Sequence, residues 1–136
     1  QLTGAKADIS WGEISAERYP NRPMCQAFKD NMEILGIEMK WPDPKAQYGS
    51  SDIGNVSIKI PAIHDYLSIT DDKTIQAHTK EYADAAKSEE AQEICLKGAK
   101  GLAMTGYDIL SSDEFQAEIR RFHEQQIPDF YKKKKS

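Results

Sequence analysis

The sequence lacks any apolar run close to the roughly 20 residues that a membrane-spanning helix needs. It also lacks the basic start, apolar stretch and small-residue cleavage site of a signal peptide. These two absences predict a cytoplasmic protein without membrane contact. Cysteine is scarce as well: Cys25 and Cys95 lie far apart, and each falls in a helical apolar pattern. We therefore expect buried free thiols rather than a disulfide or a zinc knuckle.

Acidic residues outnumber basic ones, and the excess is larger without the end of the chain. The net charge is −4 over 136 residues, even though Lys132 to Lys135 are all lysines. A lysine tail without interleaved aromatic residues is typical of a solvated terminus, which argues against nucleic acid as a partner. A hydrophobic content of 39% is enough for one domain with a modest core. Because the chain begins at Gln1 and not at a methionine, we expect a piece of a longer protein.

Three segments have the apolar patterns of strands. Apolar and polar residues alternate from Ala5 to Ile14, which is the period of a half-buried strand. The same alternation recurs from Val56 to Ile60, and residues 62–69 form an apolar run suited to a buried strand. Pro61 separates these last two segments.

Helix signals alternate with the strand signals. Asn21 followed by Pro23 predicts a helix start, and Gly36 predicts its end. Ser88 predicts the start of a helix of about 22 residues that is rich in glycine and alanine, which allow close approach to a sheet. Ser111, with a glutamate three residues later, predicts the last helix. This order predicts an α/β fold in which helices cover a mostly parallel or mixed sheet.

Three histidines are the first candidates for chemistry. His123 lies among charged residues of the last helix and is expected to be solvated. His64 lies in an apolar run, where it is either a hydrogen-bonded core residue or a group that points into a site. His78 follows a predicted strand, and open α/β sheets build their sites at the carboxyl ends of strands. No H-x-H, H-x-D or H-E-x-x-H spacing is present, so the residues alone do not predict a metal site.

A polar glycine loop, GSSDIGNVS at residues 49–57, is the second candidate. Its glycines allow backbone amides to face an anion, and Asp52 has the chemistry to bind an amine or to orient a histidine. The alternative is a tight turn in which Asp52 and Asn55 make local hydrogen bonds.

Four ordered stretches resemble a known family. They are GSSDIGNVS at 49–57, IPAIHDY at 60–66, HTKEY at 78–82 and AKGLAMT at 99–105. Together they resemble the end of the zinc-dependent amidohydrolases of the aminoacylase and carboxypeptidase type, a metallopeptidase family. The branch that contains the aminobenzoyl-glutamate hydrolase B subunit is the most similar. The resemblance extends over roughly residues 19–125.

The resemblance implies a domain organisation. In that family a lid that mediates dimerisation interrupts the catalytic domain, and the chain then returns to complete that domain. Residues 1–19 are then the last strand of the lid, and residues 20–136 are the C-terminal part of the catalytic domain. The implied partners are the N-terminal half of the same domain and, in the complete protein, a second copy in a homodimer.

The resemblance also implies a reaction and its residues. The family hydrolyses the amide bond of an N-acyl amino acid or dipeptide-like substrate with two zinc ions, for which manganese or cobalt can substitute. His78 matches a zinc ligand of the family. The resemblance places the family's H-x-D motif, bridging aspartate and Glu-Glu pair in the first half of its catalytic domain, which this chain does not match. The chain is therefore expected to lack the catalytic base and to be inactive alone. The residues implied to contact substrate are Ser51, Asp52, Gly54, Asn55 and His64.

A noncatalytic α/β interaction module is the alternative. Its exposed edges and faces would then be a surface for a partner. Such a module is expected to be a stable monomer whose apolar faces are already covered. Self-association, or dye binding to exposed apolar surface, favours a piece of an enzyme.

Overall fold

The computed structural model describes residues 4, 6–12, 15–43, 49 and 51–132. Within these ranges the fold is helical, with no β-strand. One isolated parallel bridge, between Pro20 and Ala62, is the sheet-like backbone pairing in this part of the chain. The prediction of an α/β sheet is therefore wrong. The helices are α1 (Arg22–Ile34), α2 (Ile53–Ser57), α3 (Lys80–Ala85), α4 (Glu89–Ser111), α5 (Asp113–Gln126) and α6 (Asp129–Lys132).

Each predicted strand fails because its backbone has no neighbouring strand to pair with. Residues 6–12, from the first predicted strand, are exposed, and Trp11 is 90% exposed. Val56 lies in α2, and the residues up to Ile60 form a turn after that helix. Residues 63–68 do alternate between half-buried and exposed positions. Their backbone is extended, but a ladder also needs a partner strand at hydrogen-bonding distance.

The start and end of α1 confirm the predicted helix. The side chain of Asn21 accepts a hydrogen bond from the Met24 amide at 3.3 Å, as an N-cap residue does. Its amide group donates to the Ile119 carbonyl of α5 at 2.9 Å, and Asn21 is fully buried. Gly36 ends the helix with φ of 78°, a left-handed conformation that glycine adopts without strain.

Serine caps define α4 and α5. Ser88 accepts a hydrogen bond from the Ala91 amide at 3.1 Å, which confirms the predicted start of the long helix. The cap of α5 is Ser112, which accepts from the Phe115 amide at 3.1 Å. Ser111 is instead the last residue of α4, so the predicted start of α5 was one residue too early.

The core lies where α1, α4 and α5 contact one another. Met32 of α1 has no exposed surface, and Phe28 is 3% exposed. Both contact α4 at Gly101, where an added Cβ would lie 3.1 Å from the Phe28 ring and closer still to the Met32 sulfur. Asn31 extends this contact by donating to the Thr105 hydroxyl at 3.1 Å. Glycine at position 101 therefore sets the close approach of α1 to α4.

One face of α4 is apolar and exposed. The core-facing residues are small: Ala91, Gly98, Gly101 and Thr105. Leu102 of the same helix is 56% exposed. Leu96, Tyr107 and Leu110 are also more than half exposed. Even so, no helix in the described ranges has both the length and the apolar character to cross a membrane.

Candidate functional site

The polar glycine loop docks the segment that precedes α1. The side-chain carbonyl of Asn55 accepts a hydrogen bond from the Ala16 amide at 2.7 Å. The Ser57 hydroxyl accepts from the Tyr19 amide at 3.0 Å and donates to the Gly54 carbonyl at 2.9 Å. Ser50 lies outside the described residues. Asn55 and Ser57 therefore bind the backbone of residues 16–19. The predicted substrate contact of Asn55 stays a prediction.

Gly54 packs directly on the backbone of Ala16. A Cβ at position 54 would lie 2.8 Å from the carbonyl carbon of Ala16 and closer to its oxygen, and backbone atoms cannot move aside as a side-chain tip can. We expect Gly54→Ala to lower the free energy of unfolding by about 1–3 kcal/mol.

Gly106→Ala is the matched control, because a Cβ there meets nothing within 4 Å. Alanine in the middle of α4 should increase stability by up to about 1 kcal/mol. Urea denaturation measures both changes. Equal effects of the two substitutions would contradict the close contact at Gly54.

Ser51 and Asp52 lie at the start of α2. The Ser51 hydroxyl accepts a hydrogen bond from the Ile53 amide at 3.3 Å. The Asp52 side chain is exposed and does not cap the helix, although its backbone carbonyl accepts from the Asn55 amide at 3.0 Å. Ser51 thus makes a local hydrogen bond of the kind that the alternative expected of Asp52 and Asn55. The substrate contacts of Ser51 and Asp52 stay predictions.

His64 is exposed, so the core alternative for this residue is wrong. Its ring lies 4.8 Å from the Tyr66 ring between centroids, and its Nδ1 lies 3.5 Å from Nη1 of Arg18. Arg18 also donates to the Tyr66 hydroxyl at 2.9 Å. These three side chains line one cavity of about 820 Å³. The cavity also reaches Ile53 and Ser57 of α2, so the structure brings His64 and one end of the glycine loop together.

Asp65, which lies between His64 and Tyr66 in the sequence, also lines this cavity. It is half-buried, between the exposed His64 and Tyr66, and its buried Oδ2 has no hydrogen-bond partner among the described residues. Burial raises the pKa of this carboxyl from 3.8 to about 6, because a charged carboxylate loses hydration there. The Cys25 thiol nearby has its pKa raised to about 12, by burial first and then by the charge of Asp65.

Asp65 should make stability depend on pH. A carboxyl whose pKa is higher in the folded state favours folding at low pH, and stability falls as pH rises from about 4 to about 6. Because Asp65 is partly exposed, solvent screening limits the cost of its charge to about 1 kcal/mol. We expect Asp65→Asn to increase the free energy of unfolding by about that amount at pH 7.5 and to change it little at pH 4. Denaturant titrations at the two pH values measure this; an equal gain at both would contradict it.

The two cysteines remain free thiols in the structure, as predicted. Cys25 is half-buried, and its raised pKa makes it a weak nucleophile at neutral pH. Cys95 is exposed on α4, so the prediction that both thiols are buried is wrong for Cys95.

His78 lies in a strained turn just before α3. Its φ is 67°, a left-handed conformation that is uncommon for residues other than glycine. Thr79 holds the turn on both sides: its hydroxyl donates to the Gln76 carbonyl at 2.7 Å and accepts from the Tyr82 amide at 3.1 Å. The imidazole is exposed and is not among the groups that line the cavity. The structure therefore does not bring His78 and His64 to one cavity.

Metal binding requires a cluster of donors, and zinc takes three or four protein ligands. Among the described residues no group of three or more histidine, cysteine, aspartate or glutamate side chains is suited to hold an ion. The described residues therefore do not form a complete metal centre by themselves. His78 fits the role of a single ligand only, with an accessible ring on a restrained backbone.

His123 makes a contact between helices that the sequence analysis missed. Its Nε2 lies 2.8 Å from the Ser57 carbonyl, which joins α5 to α2. The prediction of a solvated surface residue is therefore wrong. The signal was present in the sequence, because position 123 is four residues after the buried Ile119 and so lies on the same helix face.

Comparison with known proteins gives two relatives. Over 125 residues, or 88% of this chain, it is 37% identical to a mouse protein named Xaa-Arg dipeptidase. Over 103 residues, or 74% of this chain, it is 40% identical to a human protein of the same name. No family model and no solved structure matches the chain.

The chain spans about a quarter of the length of the relatives it matches, since it covers 28% of the mouse protein and 23% of the human one. Their name supports the resemblance to peptidases. It does not support the aminobenzoyl-glutamate hydrolase branch, which stays a prediction. Over most of its own length, this chain is thus related to one part of two dipeptidases.

Proposed function

We propose that this chain supplies one part of a cytoplasmic, zinc-dependent peptidase that hydrolyses the amide bond of a dipeptide or an N-acyl amino acid. The observation that carries the proposal is the 37% identity to a dipeptidase over 88% of the chain. A match of this length includes the loop, His78 and the long helix together. The name Xaa-Arg dipeptidase makes a dipeptide of the form Xaa-Arg the first substrate to test.

His78 is the residue to which we assign metal ligation. Its exposed imidazole and left-handed backbone favour this role, because strained residues in defined turns are concentrated at functional sites. The hydrogen bonds of Thr79 restrain the backbone turn next to His78. A bound zinc ion would supply Lewis acidity and lower the pKa of a water molecule. The chain itself contributes the oriented imidazole, and the acid and base groups come from other residues of the complete enzyme.

Residues 20–136 pack, in this proposal, against the N-terminal half of the catalytic domain, and residues 1–19 belong to the lid. The exposed apolar face of α4 supports such a partner. Tyr107 is 71% exposed and Leu110 is 82% exposed, and burying large apolar side chains of this kind stabilises an assembly by about 1.5–3 kcal/mol each. A homodimer of the complete protein is proposed on the resemblance alone.

The noncatalytic alternative is disfavoured by the same face of α4. A self-sufficient interaction module was expected to have its apolar faces covered, whereas Leu96 and Leu102 are both more than half exposed. Binding of an apolar dye to the isolated chain, lost in the complete protein, would support the enzymatic proposal.

The test is a hydrolysis assay on the complete protein that carries this sequence. We expect it to cleave L-alanyl-L-arginine, to lose activity when a chelator removes metal, and to recover activity with zinc, manganese or cobalt. The 136-residue chain with the same metals is expected to be inactive. Hydrolysis that resists the chelator, or an inactive complete protein with bound metal, would contradict the proposal.

A further inference from the structure

Asp65 is a half-buried carboxyl group in the cavity that the proposed chemistry does not use. Its segment, residues 63–68, turns exposed residues outward and half-buried residues inward, and Asp65 is on the inward side. A carboxylate at an inward position costs free energy, because it exchanges water for apolar neighbours. The structure leaves its Oδ2 without a partner among the described residues. Because buried polar atoms normally have a hydrogen-bond partner, a ligand with an N–H or O–H donor would complete the hydrogen bonding of Oδ2.

Two of the cations that line the same cavity have other partners. Lys29 pairs with Glu33, and the Arg22 guanidinium stacks over the Trp41 ring at 4.9 Å from its centroid. None of the ion pairs in the described ranges includes Asp65. Burial raises the pKa of the Asp65 carboxyl, and no nearby cation in the described part of the chain offsets this rise. Among the described residues, Asp65 therefore has no ion-pair partner.

We propose that this cavity binds the basic side chain of the dipeptide, with the Asp65 carboxylate as its partner. The inference rests on the proposed peptidase function and names the residue that selects the substrate. A guanidinium offers several N–H donors to a carboxylate, and such charge-assisted hydrogen bonds are about twice as strong as neutral ones. The apolar part of the side chain packs against Phe28 and Ile63, which also line the cavity.

The size and the remaining charges of the cavity suit the rest of the dipeptide. A volume of about 820 Å³ falls within the range of about 300–1,000 Å³ that small-molecule sites occupy. Arg22 and Lys40 line the cavity without a carboxylate partner in the described part of the chain. They supply positive charge for the dipeptide's own carboxylate. A zwitterionic ligand with a basic side chain thus matches both signs of charge.

The test compares two ligands that have the same shape and differ in charge. L-alanyl-L-arginine and L-alanyl-L-citrulline are titrated into the 136-residue chain, with calorimetry and the fluorescence of Trp41 as readouts. We expect the arginine dipeptide to bind about 10- to 100-fold more tightly, which is the range for a hydrogen bond to a charged group. Asp65→Asn should remove most of this preference. Asp71→Asn, at an exposed position on the following turn, should keep it.

Equal binding of the two dipeptides, no binding of the arginine dipeptide at millimolar concentration, or an unchanged preference in Asp65→Asn would each overturn the inference. Circular dichroism verifies that the variant is folded. The outcome is separable from that of the proposed function. A complete enzyme that loses activity with chelator but cleaves both dipeptides equally well would remain a metallopeptidase, and only the role of Asp65 would be wrong.

Discussion

Replacing His78 in the complete protein is expected to lower kcat/KM for dipeptide hydrolysis by about 100-fold or more and to lower the zinc content. The reason is that an ion held by few protein ligands loses a large part of its binding free energy with one of them. Two variants distinguish the effect of losing the imidazole from the effect of changing the backbone preference at this position. His78→Ala removes the imidazole and places alanine at a φ of 67°, whereas His78→Asn introduces a residue that tolerates this conformation. Both should lose zinc.

His123→Gln is the matched control for this experiment. Its Nε2 contact with the Ser57 carbonyl joins two helices, so the substitution should lower the free energy of unfolding by about 1 kcal/mol while zinc content is unchanged. His78 is exposed, and His78→Asn, which keeps a residue that tolerates this backbone, should change stability by no more than about 0.5 kcal/mol. Full zinc content and full activity in both His78 variants would contradict the assignment.

Met32→Ala is expected to lower the free energy of unfolding by about 2–5 kcal/mol. Met32 has no exposed surface and lies against Gly101, which has no side chain to fill the space that the methionine leaves. The cavity would therefore persist between α1 and α4. A loss of this size is a large part of the roughly 5–15 kcal/mol that stabilises a typical domain.

Ile34→Ala is the control in the same helix. Ile34 is 74% exposed, so its substitution should change stability by no more than about 0.5 kcal/mol. Guanidinium denaturation followed by circular dichroism measures both variants. Similar losses for the two would mean that α1 packs through another face than the one described.

The helices were predictable because local sequence determines their ends. Asn21, Ser88 and Gly36 act through hydrogen bonds or backbone angles that involve residues within a few positions. The sheet was not predictable in the same way, because a strand needs a partner that its own pattern does not specify. Residues 63–68 have the alternating burial of a strand and extend beside α4, where Leu67 meets Gly98, without a ladder.

The candidate site was predictable in part. His78 and the glycine loop were recognised as motifs, but the docking of Asn55 on Ala16 joins residues 39 positions apart and leaves no local trace. The buried carboxylate of Asp65 was also missed, since its half-buried position and unsatisfied oxygen are known only from the packing around it. Motifs thus indicated which residues to consider, and long-range packing decided what each of them contacts.

Anomalous X-ray scattering from zinc, in crystals of the complete protein, tests the central claim most directly. The account predicts a zinc peak at about 2.0–2.1 Å from a ring nitrogen of His78, the usual distance for imidazole ligation. The remaining ligands should come from residues outside the 136 described by this sequence. Zinc bound in the protein with His78 outside its ligand shell would contradict the account.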